Sequence, residues 1–115
     1  MKHTDLTYLK ELANGSNQFM NEMLTLFITQ TPEALDNMEK HFKNKDWKSL
    51  RTVVHKMKPS ISFVGLKELE KDIRTIEESA ANESGLEQLP PLIAKVIQIC
   101  KEALVELEAE LKNLS

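Results

Sequence analysis

Apolar residues recur along this chain at steps of three and four, and that rhythm divides it into helices. Leu6, Leu9 and Leu12 mark a short leading helix over Asp5 to Ala13, closed by Asn14-Gly15, with Ser16 placed to cap the next start. Met20, Leu24, Phe27, Leu35, Met38 and Phe42 carry the spacing from Ser16 to about Lys43. Thr31-Pro32 interrupts that run, and the missing backbone donor predicts a kink near its middle. Asp46 is the expected cap of a third element, whose stripe of Trp47, Leu50, Val54, Met57, Ile61 and Val64 is unbroken. After Gly65 the spacing restarts with Leu66, Leu69, Ile73, Ile76 and Ala80, leaving the acids on the other side. A loop follows from Asn82 to Pro91. Within it Ser84 and Glu87 offer a capping box, while Pro90-Pro91 better fits the opening turn of the last helix. That helix presents Ile93, Val96, Cys100, Ala103, Leu107 and Leu114 and runs nearly to Ser115. The pattern predicts an all-α fold: an antiparallel up-and-down four-helix bundle with a short additional N-terminal helix, one domain over residues 1–115.

Composition narrows the classes further. A chain of 115 residues, 41% hydrophobic and 29% charged, buries enough surface for a core without disulfide or metal staples. Three glycines and four prolines are about half the usual share, which argues against an all-β or β/α fold. Cys100 stands alone, so an internal disulfide and a four-thiolate zinc site are excluded, and it reads as a small buried apolar residue. The polar start leads into no apolar run long enough for a signal peptide or a membrane span, and a cytoplasmic location is expected. Net charge is −3, but the charges are segregated. Seven cations face one acid between Lys40 and Lys58, while seven acids face three cations between Lys67 and Glu87. Such a basic zone steers an anionic partner to one end of the fold, unless it is no more than a solvated surface.

Three histidines carry the candidate chemistry. At about 100° per residue, the Trp47 to Val64 stripe is centred roughly 130° from His55, which therefore lies outside the core. Arg51, Lys58 and Ser62 fall on its side of the helix, placing an accessible imidazole within one turn of two cations. A surface helix needs polar residues in any case, which is the plain structural reading of an exposed histidine. The functional reading is phosphoryl transfer. An imidazole is largely uncharged and nucleophilic near neutral pH, and the transferred group asks the protein mainly for positioning and charge neutralisation. No acid sits at the adjacent turn positions, so nothing local orients the ring as a general base, which points to a carrier and not a hydrolase. His3 falls in a terminus expected to fray, and His41 has no comparable neighbours; neither receives a role.

Other chemistries lack their residues. There is no Glu-x-x-His pair or His-Glu-x-x-His for a metal and no glycine-rich phosphate loop. Nucleic-acid binding is disfavoured by an acidic chain without exposed aromatics in its basic zone.

At His55 the sequence Val54-His55-Lys56-Met57-Lys58-Pro59-Ser60-Ile61-Ser62-Phe63-Val64-Gly65-Leu66, with Leu69 beyond, resembles the signature of histidine-containing phosphotransfer domains, the relay carriers of multistep two-component signalling. Lysine at +3, small residues at +4 and +5, glycine at +10 and leucine at +14 are matched by Lys58, Ser60, Gly65 and Leu69. The likeness extends upstream to Thr31-Pro32-Glu33 and Asp46-Trp47. Pro59 departs from it, standing where many members have glycine; it cannot donate to the His55 carbonyl, so a local bend is expected.

The resemblance implies a phosphorelay intermediate that takes a phosphoryl group from a receiver aspartyl phosphate and passes it to another receiver. His55 is then the phosphoacceptor, Lys58 its electrostatic partner and Ser62 a hydrogen-bond donor, with Lys48, Arg51, Pro59 and Gly65 as docking contacts. Partners are receiver domains and a hybrid sensor histidine kinase. No cofactor or metal of its own is implied, Mg2+ coming with the receiver, and no independent turnover is expected. Monomer is the default state, and Met1 followed by a whole bundle suggests a free-standing carrier. The rival reading is a helical docking module that binds a receiver or kinase without carrying phosphate.

Overall fold

The computed structural model describes residues 3–114. Five α-helices appear in the expected order: α1 (Thr7–Ala13), α2 (Asn17–Lys43), α3 (Trp47–Phe63), α4 (Lys67–Asn82) and α5 (Leu89–Asn113), with a 3-10 turn over Leu86–Gln88. Their ends are set by local chemistry. Ser16 accepts from the Phe19 N–H at 3.1 Å and Asp46 from the Ser49 N–H at 3.2 Å, each satisfying an amide the helix leaves unpaired. Asn14, at φ 48°, closes α1 in the left-handed conformation and Glu83, at φ 49°, closes α4. Of the two proposed starts for the last helix, the proline pair is the one used: Pro90 and Pro91 lie in the first turn of α5, and Ser84 makes no cap.

Neighbouring long helices α2, α3, α4 and α5 meet in a ring, which with short connections gives the up-and-down bundle, and α1 leans on α2. The long axis spans 44 Å against 25 and 20 Å across. One stripe from each helix fills the interior, led by Leu24, Met38, Leu50, Val54, Ile61, Leu69, Ile73, Ile76, Val96 and Leu107. Phe27 is buried, while Trp47 is half-buried with its ring 5.9 Å from that of Phe42. Both internal prolines are carried within continuous helices: α2 runs through Pro32 and α3 through Pro59. Each removes one ladder bond, and packing on both flanks holds the helix together. Cys100 is buried, and burial pushes its thiol up to about 12, so it is a core residue.

The α3–α4 corner turns on Gly65 at φ +67°. A Cβ there would lie 2.1 Å from the Asp5 carbonyl oxygen, because the N-terminal segment crosses this corner and the Asp5 N–H donates to the Val64 carbonyl at 3.0 Å. Gly65 is thus buried beneath Asp5, which gives it a packing role at this corner where a docking contact was expected.

His3 departs from expectation as well. It does not sit in a loose end: its ring bonds Glu68 of α4 and Glu102 of α5, and its backbone N–H reaches Glu106. Among the described residues no helix is long and apolar enough to cross a membrane.

Candidate functional site

His55 sits midway along α3 with its side chain 68% exposed. Its position follows from the stripe: Val54 and Met57 on either side point inward, which turns residue 55 out. Lys58, one turn later, is 39% exposed, and Lys48, Arg51 and Thr52 approach from the preceding turns. Lys48, Arg51, Thr52, Lys56 and His55 line a shallow recess of about 240 Å³, so the expected docking cations do flank the ring. Pro59 is exposed beside it. Ser62 is exposed a further turn on and bonds neither His55 nor Lys58 among the described residues; with Lys58, Glu70 and Arg74 it lines a groove of about 210 Å³ between α3 and α4.

The sequence reading missed one residue that organises the site. Glu77 of α4, 15% exposed, places Oε2 2.5 Å from His55 Nδ1 and Oε1 2.9 Å from Lys58 Nζ. An acid does therefore orient the ring, and it comes from the facing helix, which corrects the expectation drawn from the adjacent turns of α3. The signal lay in the hairpin. With the chain reversing at Gly65, His55 ten residues before the corner faces residues about as far beyond it, and Glu77 is twelve beyond.

Electrostatics fix the hydrogen. Lys58, and after it His55, hold the Glu77 carboxyl below the usual carboxylate range against the opposing pull of partial burial. An ionised carboxylate only accepts, so Nδ1 carries a hydrogen, and in the neutral ring the lone pair is then on Nε2. Both Glu77 oxygens are engaged, one by the ring and one by the ammonium. Among the described residues no group of three His, Cys, Asp or Glu side chains is placed to hold a metal ion.

This arrangement presents an exposed imidazole held at Nδ1, an ammonium one turn away and a cationic rim along an open recess. The sequence model of the Hpt domain family matches residues 22–115. Among solved structures, histidine-containing phosphotransfer protein B (HptB) from Pseudomonas aeruginosa PAO1 is 22% identical with a TM-score of 0.85, over 96% of this chain and 96% of that one. The HPT domain from the Hpt sensor hybrid histidine kinase of Shewanella is 18% identical with a TM-score of 0.84, over 98% of this chain and 97% of that one. Both likenesses are of fold. No curated protein matches the chain.

Proposed function

Because the chain belongs to the Hpt domain family and is thereby a histidine phosphotransfer intermediate of a phosphorelay, we propose that Nε2 of His55 is the atom that carries its phosphoryl group. The supporting observation is the exposed ring whose Nδ1–H is held by Glu77. The Nε2 lone pair attacks phosphorus of a receiver aspartyl phosphate, the N–P bond forms and the P–O bond to the aspartate breaks. The aspartate leaves as carboxylate, and the Nδ1 proton stays on the ring against Glu77. Reversal on a second receiver returns the imidazole to its starting state. The phosphoryl group in flight is loosely bonded and spreads charge over three oxygens, so positioning and neutralisation are what the carrier must supply.

Lys58 supplies that charge. One of its three N–H groups is spent on Glu77 and the others remain for phosphoryl oxygens. Ser62 is the outer hydrogen-bond donor of the site. Lys48, Arg51 and Pro59 meet the receiver, whose acidic pocket brings Mg2+; the carrier itself holds none. Glu77 is held by the ring and the ammonium and is given no role in activating water, so the phosphorylated form waits for a receiver and the protein turns over no substrate alone. We assign the whole chain to one domain acting as a monomer in the cytoplasm.

The test is direct. Incubation with a phosphorylated receiver yields an acid-labile, alkali-stable phosphoprotein, and His55→Gln abolishes the label. Label persisting in His55→Gln overturns the assignment, and complex formation without phosphate movement favours a docking module.

A further inference from the structure

Outside the phosphotransfer face, a second cluster of titratable groups gathers around His3. Its Nδ1 lies 2.6 Å from Glu68 Oε1 and its Nε2 2.7 Å from Glu102 Oε1. Its backbone N–H donates to the Glu106 carboxylate at 2.9 Å, joined there by the Thr4 N–H at 3.1 Å and the Thr4 hydroxyl at 2.8 Å. The ring is 21% exposed. Residues 3–6 thus form a strap over α4 and α5, continued by Asp5 onto Val64 and by buried Leu6 into the core.

The geometry carries a requirement. A carboxylate accepts and cannot donate, so contact with one at each ring nitrogen needs a hydrogen on both, and only the imidazolium has two. A neutral ring keeps one of the two bonds and turns a lone pair on the other glutamate. We propose that His3 is a proton-operated clasp that fastens the N-terminal strap to α4 and α5 together when the ring is charged and releases one of them when the proton is lost to water. Glu68 comes from α4, and Glu102 and Glu106 come from α5. Glu102 is steadied by Gln98, Lys95 of α5 is committed to Asp72 at 2.7 Å, and Lys67 of α4 pairs with Asp5 at 3.9 Å. Lys95 also attracts Glu68 through space without bonding it, so among the described residues the ring is the cation in direct contact with the two carboxylates. Glu102, then Glu68, raise the pKa of His3 above its ordinary value, and His3, then Gln98, lower that of Glu102. The clasp is therefore closed below the raised His3 value, while its carboxylates are ionised, and opens as pH climbs through that value.

The proposal is independent of the phosphoacceptor assignment and is tested on the intact chain. The His3 Cε1–H resonance, identified by its absence in His3→Gln, is titrated by NMR alongside the protection factor of the Asp5 amide, corrected for intrinsic exchange. His3 titrates above a histidine of the unfolded chain, and Asp5 protection falls between that unfolded value and the His3 midpoint, by tenfold in all for each unit of the elevation. His3→Gln shows low, pH-independent protection at Asp5, while Glu102→Gln brings the midpoint down and identifies the resonance if His3→Gln fails to fold. An ordinary midpoint, or Asp5 protection flat through the titration, overturns the clasp.

Discussion

His55 and His3 each bond a glutamate through Nδ1, and they differ in what happens at the second nitrogen. At His55 no bond to Nε2 is made among the described residues, and the ring is 68% exposed; at His3, Nε2 meets a second glutamate on a ring 21% exposed. One carboxylate fixes a tautomer and leaves a lone pair to react. Two carboxylates consume both nitrogens and make a crosslink. The cations differ too, for Glu77 bonds Lys58 directly, whereas at His3 Lys95 acts on Glu68 only through space. On the proposed assignment, the number of acceptors around each of these two rings separates a reactive nitrogen from a crosslink.

That contrast breaks most decisively at the nitrogens themselves. His55→Gln is expected to lose all phosphoryl label and His3→Gln to keep it within about twofold, since nothing at His3 offers a free lone pair; label lost in both variants would erase the distinction. Glu77→Ala should slow label acceptance by about thirtyfold through loss of the held tautomer, with Glu77→Gln recovering most of the rate because an amide oxygen still accepts from Nδ1. Equal rates for the two variants, read by quench-flow with a phosphorylated receiver, would show that the acceptor at Nδ1 is irrelevant. On the His3 side, Gly65→Ala forces a Cβ toward the Asp5 carbonyl at a positive φ, and about 2–3 kcal/mol of destabilisation is expected in urea unfolding. A change within error would mean that the strap does not seat on the corner.

Smaller effects sharpen the comparison. Lys58→Ala should reduce transfer about tenfold with an unchanged urea midpoint, less than for a buried oxyanion donor because solvent shares the neutralisation. The smallest is a pH difference in stability. His3, its pKa raised in the fold, contributes fully below its unfolded value and loses that contribution as pH rises through the folded value. The stability gap between the wild type and His3→Gln should therefore be present in mild acid and close toward alkaline pH. A gap that widens with pH would contradict the clasp.

The helical pattern made most of the bundle legible, and it turned His55 outward because six apolar residues from Trp47 to Val64 define the opposite face. Lys58 followed from the same helix by one-turn spacing. Glu77 did not, since its place beside His55 depends on the register of α4 on α3, which the Gly65 corner sets and no single-helix count contains. His3 was less legible still. A polar tail has no periodicity, and its order comes from carboxylates on two helices, two of them four residues apart on α5. Gly65 had a signal, glycine at a helix end, but what lies over it came from sixty residues earlier in the chain.

Cys100 gives the molecule a built-in clock. A lone thiol, fully enclosed and held as SH by burial, is silent to alkylating reagents while α5 stays docked. Every modification event then counts one opening of the interior, so pulse alkylation of the unmutated chain times its unfolding without any added label.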